Sequence, residues 1–264
     1  MLLHGQPGTG ASWEPVARLL DSEFRVLAPD RPGYGSTPGP ALGLAANADV
    51  VAEFIRERGA APATVVAHSW SGGVAVLLAV RHPDLVRSMV LVGAACTPDS
   101  VNALDRWLTV PLVGDVLTVA GLAGIGGVFP RLRPWARYVP SRFRSRLETS
   151  LPDYGVTGGD HGVLGRHRTT FMIEQRALLE ELPVVTGALG SVEVPVDVVA
   201  GEWDLVVPPR AAVSLARAIP GARLTLVARA GHFVARDDPV ALAAVIRRAT
   251  GGSSTPGGAD PTVS

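Results

Sequence analysis

Val65-Val66-Ala67-His68-Ser69-Trp70-Ser71-Gly72-Gly73 decides the reading of this chain. An apolar run stops at a serine and passes at once into small residues and a further apolar run, the pattern of a buried strand, a sharp turn and a helix. A serine at such a turn sits in strained backbone, so the residues two positions away on either side must be small. The usual pattern has glycine at both places; Ala67 and Ser71 stand there instead, a relaxed but sterically reasonable version. Gly72 and Gly73 then let the helix approach the sheet closely. At the start of that helix Ser69 lies where the backbone dipole favours developing negative charge. Ser71 is a rival, because Ser69-Trp70-Ser71-Gly72-Gly73 also fits small-x-Ser-x-small. It begins after the strand has ended, which puts Ser69 first. The plain alternative for both is a serine turn without chemistry.

Outward from this turn the chain alternates. Strands are expected over 1–4, 24–29, 64–68, 86–93, 194–200 and 222–227. Helices are expected over 12–20 with Ser12 as N-cap, 45–58, 71–81, 209–219, and from Asp238-Pro239 onward, with Asp238 as N-cap. The strands are continuous apolar runs, as in a mostly parallel sheet flanked by helices on both faces. The rhythm breaks from 97 to 186, a stretch rich in Gly, Pro and Arg. Its apolar part, 107–129, is interrupted by Pro111 and Asp115 and reads as helices lining a lid, not as a membrane span. A helix over 168–182 closes it. The organisation is therefore a core of 1–96 and 187–250, a helical cap insertion of 97–186, and a Gly/Ser/Thr/Pro-rich disordered tail of 251–264.

Composition removes several classes. Basic and acidic residues balance at 24 each, against the basic surplus of a nucleic-acid binder. Every basic residue is Arg, and without a Lys amine neither P-loop nor Schiff-base chemistry is available. Cys96 is the single cysteine, read as a buried inert thiol, so no intramolecular disulfide forms. Met1-Leu2-Leu3-His4-Gly5 has neither the charged region nor the long apolar region of a signal peptide, so a cytoplasmic protein is expected. No histidine pair has the spacing and acidic partner of a zinc site.

Five segments together resemble the α/β-hydrolase superfamily. His4-Gly5-Gln6-Pro7-Gly8 is similar to its oxyanion loop, and Asp30-Arg31-Pro32-Gly33-Tyr34-Gly35-Ser36 to its turn after the next strand. Ala67 to Gly73 resembles its nucleophile elbow, Gly201-Glu202-Trp203-Asp204 its acid turn, and Ala230-Gly231-His232-Phe233 its histidine loop. Each alone is a weak signal; five in the family's order are a strong one. The resemblance implies Ser69 as nucleophile, His232 as general base, Asp204 as the supporting acid, and the backbone N–H groups of Gln6 and Trp70 as the oxyanion hole. Asp204 is preferred over Glu202 because the family's acid lies three residues after the glycine; Asp99, after the preceding strand, is the remaining variant. His4 and His68 are expected to hold loops by hydrogen bonds, His82 to lie at the surface, and His161 and His167 to be solvated lid residues.

The implied activity is acyl transfer on a small-molecule carboxylic ester, with no metal or organic cofactor required. Lactone hydrolysis, C–C bond cleavage, cofactor-free perhydrolysis and a non-catalytic ligand-binding role on the same fold are the alternatives. A serine at position 69 argues against the epoxide hydrolases and haloalkane dehalogenases of the superfamily, which use a carboxylate there. Nine Arg between 131 and 176, against Glu148, Asp153, Asp160 and Glu174, read as a solvated lid face before they read as a steering patch for anions. The family also implies an edge hairpin ahead of the strand at 1–4; without it, 24–29 is expected to become the sheet edge, and either the start is misplaced or the member is a shortened one.

Overall fold

The computed structural model describes residues 1–110, 112–114, 116–117 and 161–251. Five parallel strands form one sheet in sequential order: β1 (Leu2–Leu3), β2 (Ala63–His68), β3 (Val86–Val92), β4 (Val196–Gly201) and β5 (Arg223–Val227). Around it lie α1 (Glu14–Leu20), α2 (Leu44–Glu57), α3 (Ser71–Arg81), α4 (Ala103–Leu108), α5 (His161–Ala188), α6 (Pro209–Ala218), α7 (Val234–Asp237) and α8 (Pro239–Ala249).

Successive residues of a strand point to opposite faces, so a strand apolar throughout needs cover on both. Here Val65, Ala67, Met89, Leu91, Val196, Val198 and Ala200 pack with α2, α3 and α6 on one face. Val66, Val90, Val92 and Val199 pack with α1 and α8 on the other. The register sets Ala67 beside Leu91 and Leu91 beside Val198, which brings the C-terminal ends of the central strands level. At this end of the sheet the loops after β2, β4 and β5 carry Ser69, Asp204 and His232.

The structure corrects four expectations of local structure. The segment 24–29 forms no strand. Its link to β1 is one backbone hydrogen bond, from the Leu2 N–H to the Leu27 carbonyl at 2.8 Å, because the chain leaves β1 at His4. Val26 and Ala28 still pack on the core, and a cavity of about 490 Å³ opens beside them, lined by Met1, Phe24, Leu27, Pro62 and Ile246 among others. Ser12 is not a helix cap: a 3₁₀ turn over Gly10–Trp13 comes first, in which the Ser12 hydroxyl donates to the Thr9 carbonyl, and α1 starts at Glu14 with Pro15 in its first turn. The helix expected over 168–182 is longer at both ends. It continues through Pro183, held across that residue by the buried side chains of Leu178, Leu182 and Val185. Lastly α7 intervenes before the final helix, whose N-cap is Asp238 as expected, accepting from the Ala241 N–H at 2.9 Å.

Among the described residues no helix is long and apolar enough to cross a membrane. Most of the apolar stretch 107–129 lies outside the described residues, as do Arg131 to Arg146 and the tail from 252. Nothing is described of the His161, Arg166 and His167 side chains.

Candidate active site

Ser69 follows β2 directly and has φ of +54°, a left-handed conformation that a serine adopts only when its surroundings impose it. Three backbone hydrogen bonds do so. The Ser69 N–H donates to the Val92 carbonyl at 2.9 Å, and the Ser69 carbonyl accepts from Gly72 at 2.9 Å and Ala95 at 3.0 Å. Ala67 and Ser71, the small residues on either side, are both fully buried. The loop after β1 closes over the turn: a Cβ on Gly5 would fall 2.7 Å from His68 Nδ1 and 3.0 Å from Ser69 Cβ, so only glycine fits there.

The three side chains singled out for chemistry meet in one line. His232 Nε2 lies 3.0 Å from Ser69 Oγ, and His232 Nδ1 lies 2.8 Å from Asp204 Oδ2. The second carboxylate oxygen of Asp204 accepts the N–H groups of Val206 and Val207, both at 2.8 Å, which fixes the carboxylate in its turn. All three residues are buried. Gly93, at the end of β3 with φ of +51°, presents its bare Cα to this pair; a Cβ there would stand 3.2 Å from His232 Nδ1 and 3.3 Å from Asp204 Oδ2.

The rivals lie elsewhere. The Ser71 hydroxyl is buried and donates to the His4 carbonyl at 2.5 Å. Asp99 is exposed and accepts from Ser214 on α6 at 2.5 Å, and Glu202 is exposed. His82 pairs with Asp49 of α2 at 3.1 Å.

His4 and His68 hold loops, as their positions suggested. His4 Nδ1 donates to the Gly5 carbonyl at 2.8 Å and its Nε2 accepts from the Arg31 N–H at 2.9 Å, so the ring is neutral with one fixed tautomer. Burial, reinforced by the Arg31 charge, holds its pKa well below the ordinary 6.5. His68 Nε2 donates to the His232 carbonyl at 2.9 Å, and its ring lies 4.7 Å from that of His232. Burial and the neighbouring His232 push the His68 pKa down to about 3, so its ring is neutral.

A buried polar cluster behind the Gly5 loop escaped the sequence reading. Glu174 on α5, counted above with a solvated lid face, is fully buried and forms an ion pair with Arg31. Tyr34 donates to the same carboxylate at 2.7 Å, and Arg31 also donates to the His4 and Gly5 carbonyls, each at 3.1 Å. Burial raises the Glu174 pKa, while Arg31 and Tyr34 restrain the rise. The insertion reaches the candidate oxyanion residues as well: Gln6 Nε2 donates to the Phe171 carbonyl and Trp70 Nε1 to the Glu174 carbonyl, both at 2.9 Å. The main-chain N–H groups of Gln6 and Trp70 have no hydrogen-bond partner among the described residues. Arg31 and Tyr34 were visible as part of the 30–36 motif, but nothing in sequence pairs them with a residue more than 130 positions away.

This sheet with its three loops is the frame of an α/β-hydrolase. The chain belongs to the alpha/beta hydrolase fold family, whose model matches residues 1–239. An uncharacterised protein of Mycobacterium tuberculosis is 26% identical over 266 residues, spanning 94% of this chain and 74% of its own length. A pimeloyl-[acyl-carrier protein] methyl ester esterase of Neisseria meningitidis is 27% identical over 247 residues, spanning 93% of this chain and 91% of its own. Among solved structures, a thermophilic esterase from Thermogutta terrifontis superposes with a TM-score of 0.67 at 21% identity, covering 94% of this chain and 87% of its own. A haloalkane dehalogenase from Bradyrhizobium elkani gives 0.68 at 22% identity, covering 96% and 90%.

Proposed function

We propose that this protein is a serine hydrolase that cleaves small carboxylic esters by two-step acyl transfer, with residues 97–186 as the cap over its site. The reading rests on one observation above the others: a serine forced to positive φ, with its Oγ 3.0 Å from a histidine that is itself 2.8 Å from a fully hydrogen-bonded carboxylate. The family's methyl ester esterase from Neisseria meningitidis supports the ester class.

In this mechanism Ser69 Oγ attacks the ester carbonyl as His232 Nε2 takes its proton. Asp204 keeps the other imidazole proton on Nδ1 and stabilises the imidazolium. The carbonyl oxygen becomes an oxyanion between the Gln6 and Trp70 N–H groups, where each preorganised donor contributes about 2.7–4 kcal/mol to lowering the barrier. The C–O bond of the ester breaks and His232 returns the proton to the departing alkoxide, leaving acyl-Ser69. A water then gives its proton to His232 and attacks the acyl carbon; collapse frees the acid and restores the Ser69 hydroxyl.

A fluorophosphonate probe tests the reading. One adduct, mapped to Ser69 and lost in Ser69→Ala, is expected, together with hydrolysis of a p-nitrophenyl ester series of varied acyl length. Folded protein that takes no label, or Ser69→Ala protein that still takes it, would overturn the assignment.

A further inference from the structure

The Gly5–Gln6 peptide is trans, so its C=O and N–H point in opposite directions. Whatever fixes the Gly5 carbonyl therefore aims the Gln6 N–H. Two donors fix it: His4 Nδ1 at 2.8 Å and Arg31 Nη2 at 3.1 Å. Arg31 does more than any neutral donor could. Its Nε holds the preceding carbonyl, that of His4, at 3.1 Å, and its main-chain N–H holds the His4 ring. Its guanidinium lies 4.4 Å from the Trp70 ring and 5.1 Å from that of Tyr34. It thus touches the carbonyl of the Gly5–Gln6 peptide and the ring of Trp70, and it is anchored by Glu174 from α5.

We propose that Arg31, held by Glu174, is a positioning residue for the oxyanion hole, which orients and polarises the Gly5–Gln6 peptide so that its N–H is a stronger donor in the transition state. The proposal rests on the serine-hydrolase reading above. A cation on the carbonyl end of an amide draws electron density from its nitrogen, and hydrogen bonds in series strengthen one another. The planar fork reaches two carbonyls and a carboxylate at once, a geometry that a lysine ammonium does not reproduce.

The test uses Arg31→Met/Glu174→Gln, which removes the cation without leaving a buried charge behind, a change that buried ion pairs often tolerate. The Gly5 carbonyl keeps His4, and the His4 carbonyl keeps Ser71. Rates on a p-nitrophenyl ester are measured per active site titrated with fluorophosphonate, alongside inhibition by a trifluoromethyl ketone that forms an oxyanion on Ser69. The expected result is kcat lower by about 10- to 100-fold with ketone affinity lower by the same factor and KM shifted by less than about threefold. Glu174→Gln, which removes the anchor but leaves Arg31 on both carbonyls, is expected to show a smaller loss of the same kind, with kcat and ketone affinity falling together by less than in the double variant. Should the double variant fail to fold, Arg31→Lys is expected to show the same parallel loss.

Per-site kcat and ketone affinity that stay at wild-type values in the folded variant would overturn the positioning role. So would a loss confined to the number of titratable sites, because a purely structural role does only that. Wild-type protein that takes no label on Ser69 would instead overturn the serine reading, and this proposal with it.

Discussion

Replacing Asp204 by Asn is the most discriminating perturbation of the proposed triad, because the turn dictates how the amide must sit. Asp204 Oδ1 accepts two main-chain N–H groups, from Val206 and Val207, at 2.8 Å each. An asparagine must leave its oxygen on those donors, since the alternative sets an NH2 group against both. Its NH2 then faces His232 Nδ1, where the carboxylate now lies at 2.8 Å. A donor opposite Nδ1 strips that nitrogen of its proton and moves it to Nε2, so the imidazole donates to Ser69 Oγ when it should accept. The same exchange in a Ser-His-Asp site lowers kcat about 10⁴-fold, which is about 5.4 kcal/mol at 1.36 kcal/mol per decade. Stability moves little, because both N–H groups keep their acceptor; Asp204→Ala, which leaves both unpartnered, adds a loss of about 1–3 kcal/mol for each. The assay is kcat on p-nitrophenyl butyrate per titrated site, with urea unfolding of each variant. A folded Asp204→Asn enzyme that keeps more than about a tenth of wild-type kcat would refute the tautomer argument.

Three further outcomes follow from the geometry. Ser71→Ala removes the hydrogen bond to the His4 carbonyl and is expected to cost about 1 kcal/mol of stability while fluorophosphonate labelling persists; loss of labelling in folded protein would return Ser71 to contention as nucleophile. Gly93→Ala puts a methyl group at positive φ against His232 and Asp204, so a stability loss of about 1–2 kcal/mol is expected, with a fall in per-site kcat that an unchanged rate would contradict. The third concerns pH. Burial keeps His4 neutral with its pKa well below 6.5, so the unfolded chain takes up a proton that the native state refuses. The stability from His4 is therefore present above pH 6.5 and declines as pH falls below it, at up to about 1.4 kcal/mol per pH unit. His4→Asn should flatten that slope in urea unfolding between about pH 7 and about pH 5, and an unchanged slope would show that His4 is not its source.

The parts that were legible in sequence share a physical character: each is set by local backbone. The turn at Ser69 requires small flanking residues, parallel strands require continuous apolar runs, and a helix starting at Asp238-Pro239 needs only its cap. Each of these leaves a mark within a few positions. The segment 24–29 misled for the complementary reason. Phe24, Val26 and Ala28 carry a strand's pattern and do pack on the core, yet a strand also needs a partner ladder, and β1 supplies one bond. Glu174 was illegible because its charge is matched by Arg31, 143 positions earlier. An acid among many arginines looks solvated unless that pairing is seen.

The polar residues crowded at the C-terminal edge of the sheet also explain why sequence left two serines in competition. Motif spacing admits both Ser69 and Ser71, and the difference between them is one of hydrogen-bond accounting, not of pattern. Ser71 is committed to the His4 carbonyl, His4 to Gly5 and Arg31, Arg31 to Glu174, and His68 to the main chain of His232. Each of these groups stabilises backbone and would leave a buried group unpaired if it moved. The Ser69 hydroxyl faces only His232 Nε2 among the described residues, and it sits on backbone held at positive φ. A hydroxyl with no structural duty, on strained backbone, beside an imidazole whose far nitrogen meets a carboxylate, is placed for a proton transfer and not for stability. That contrast, more than the serine motif itself, singles out Ser69 as the proposed nucleophile.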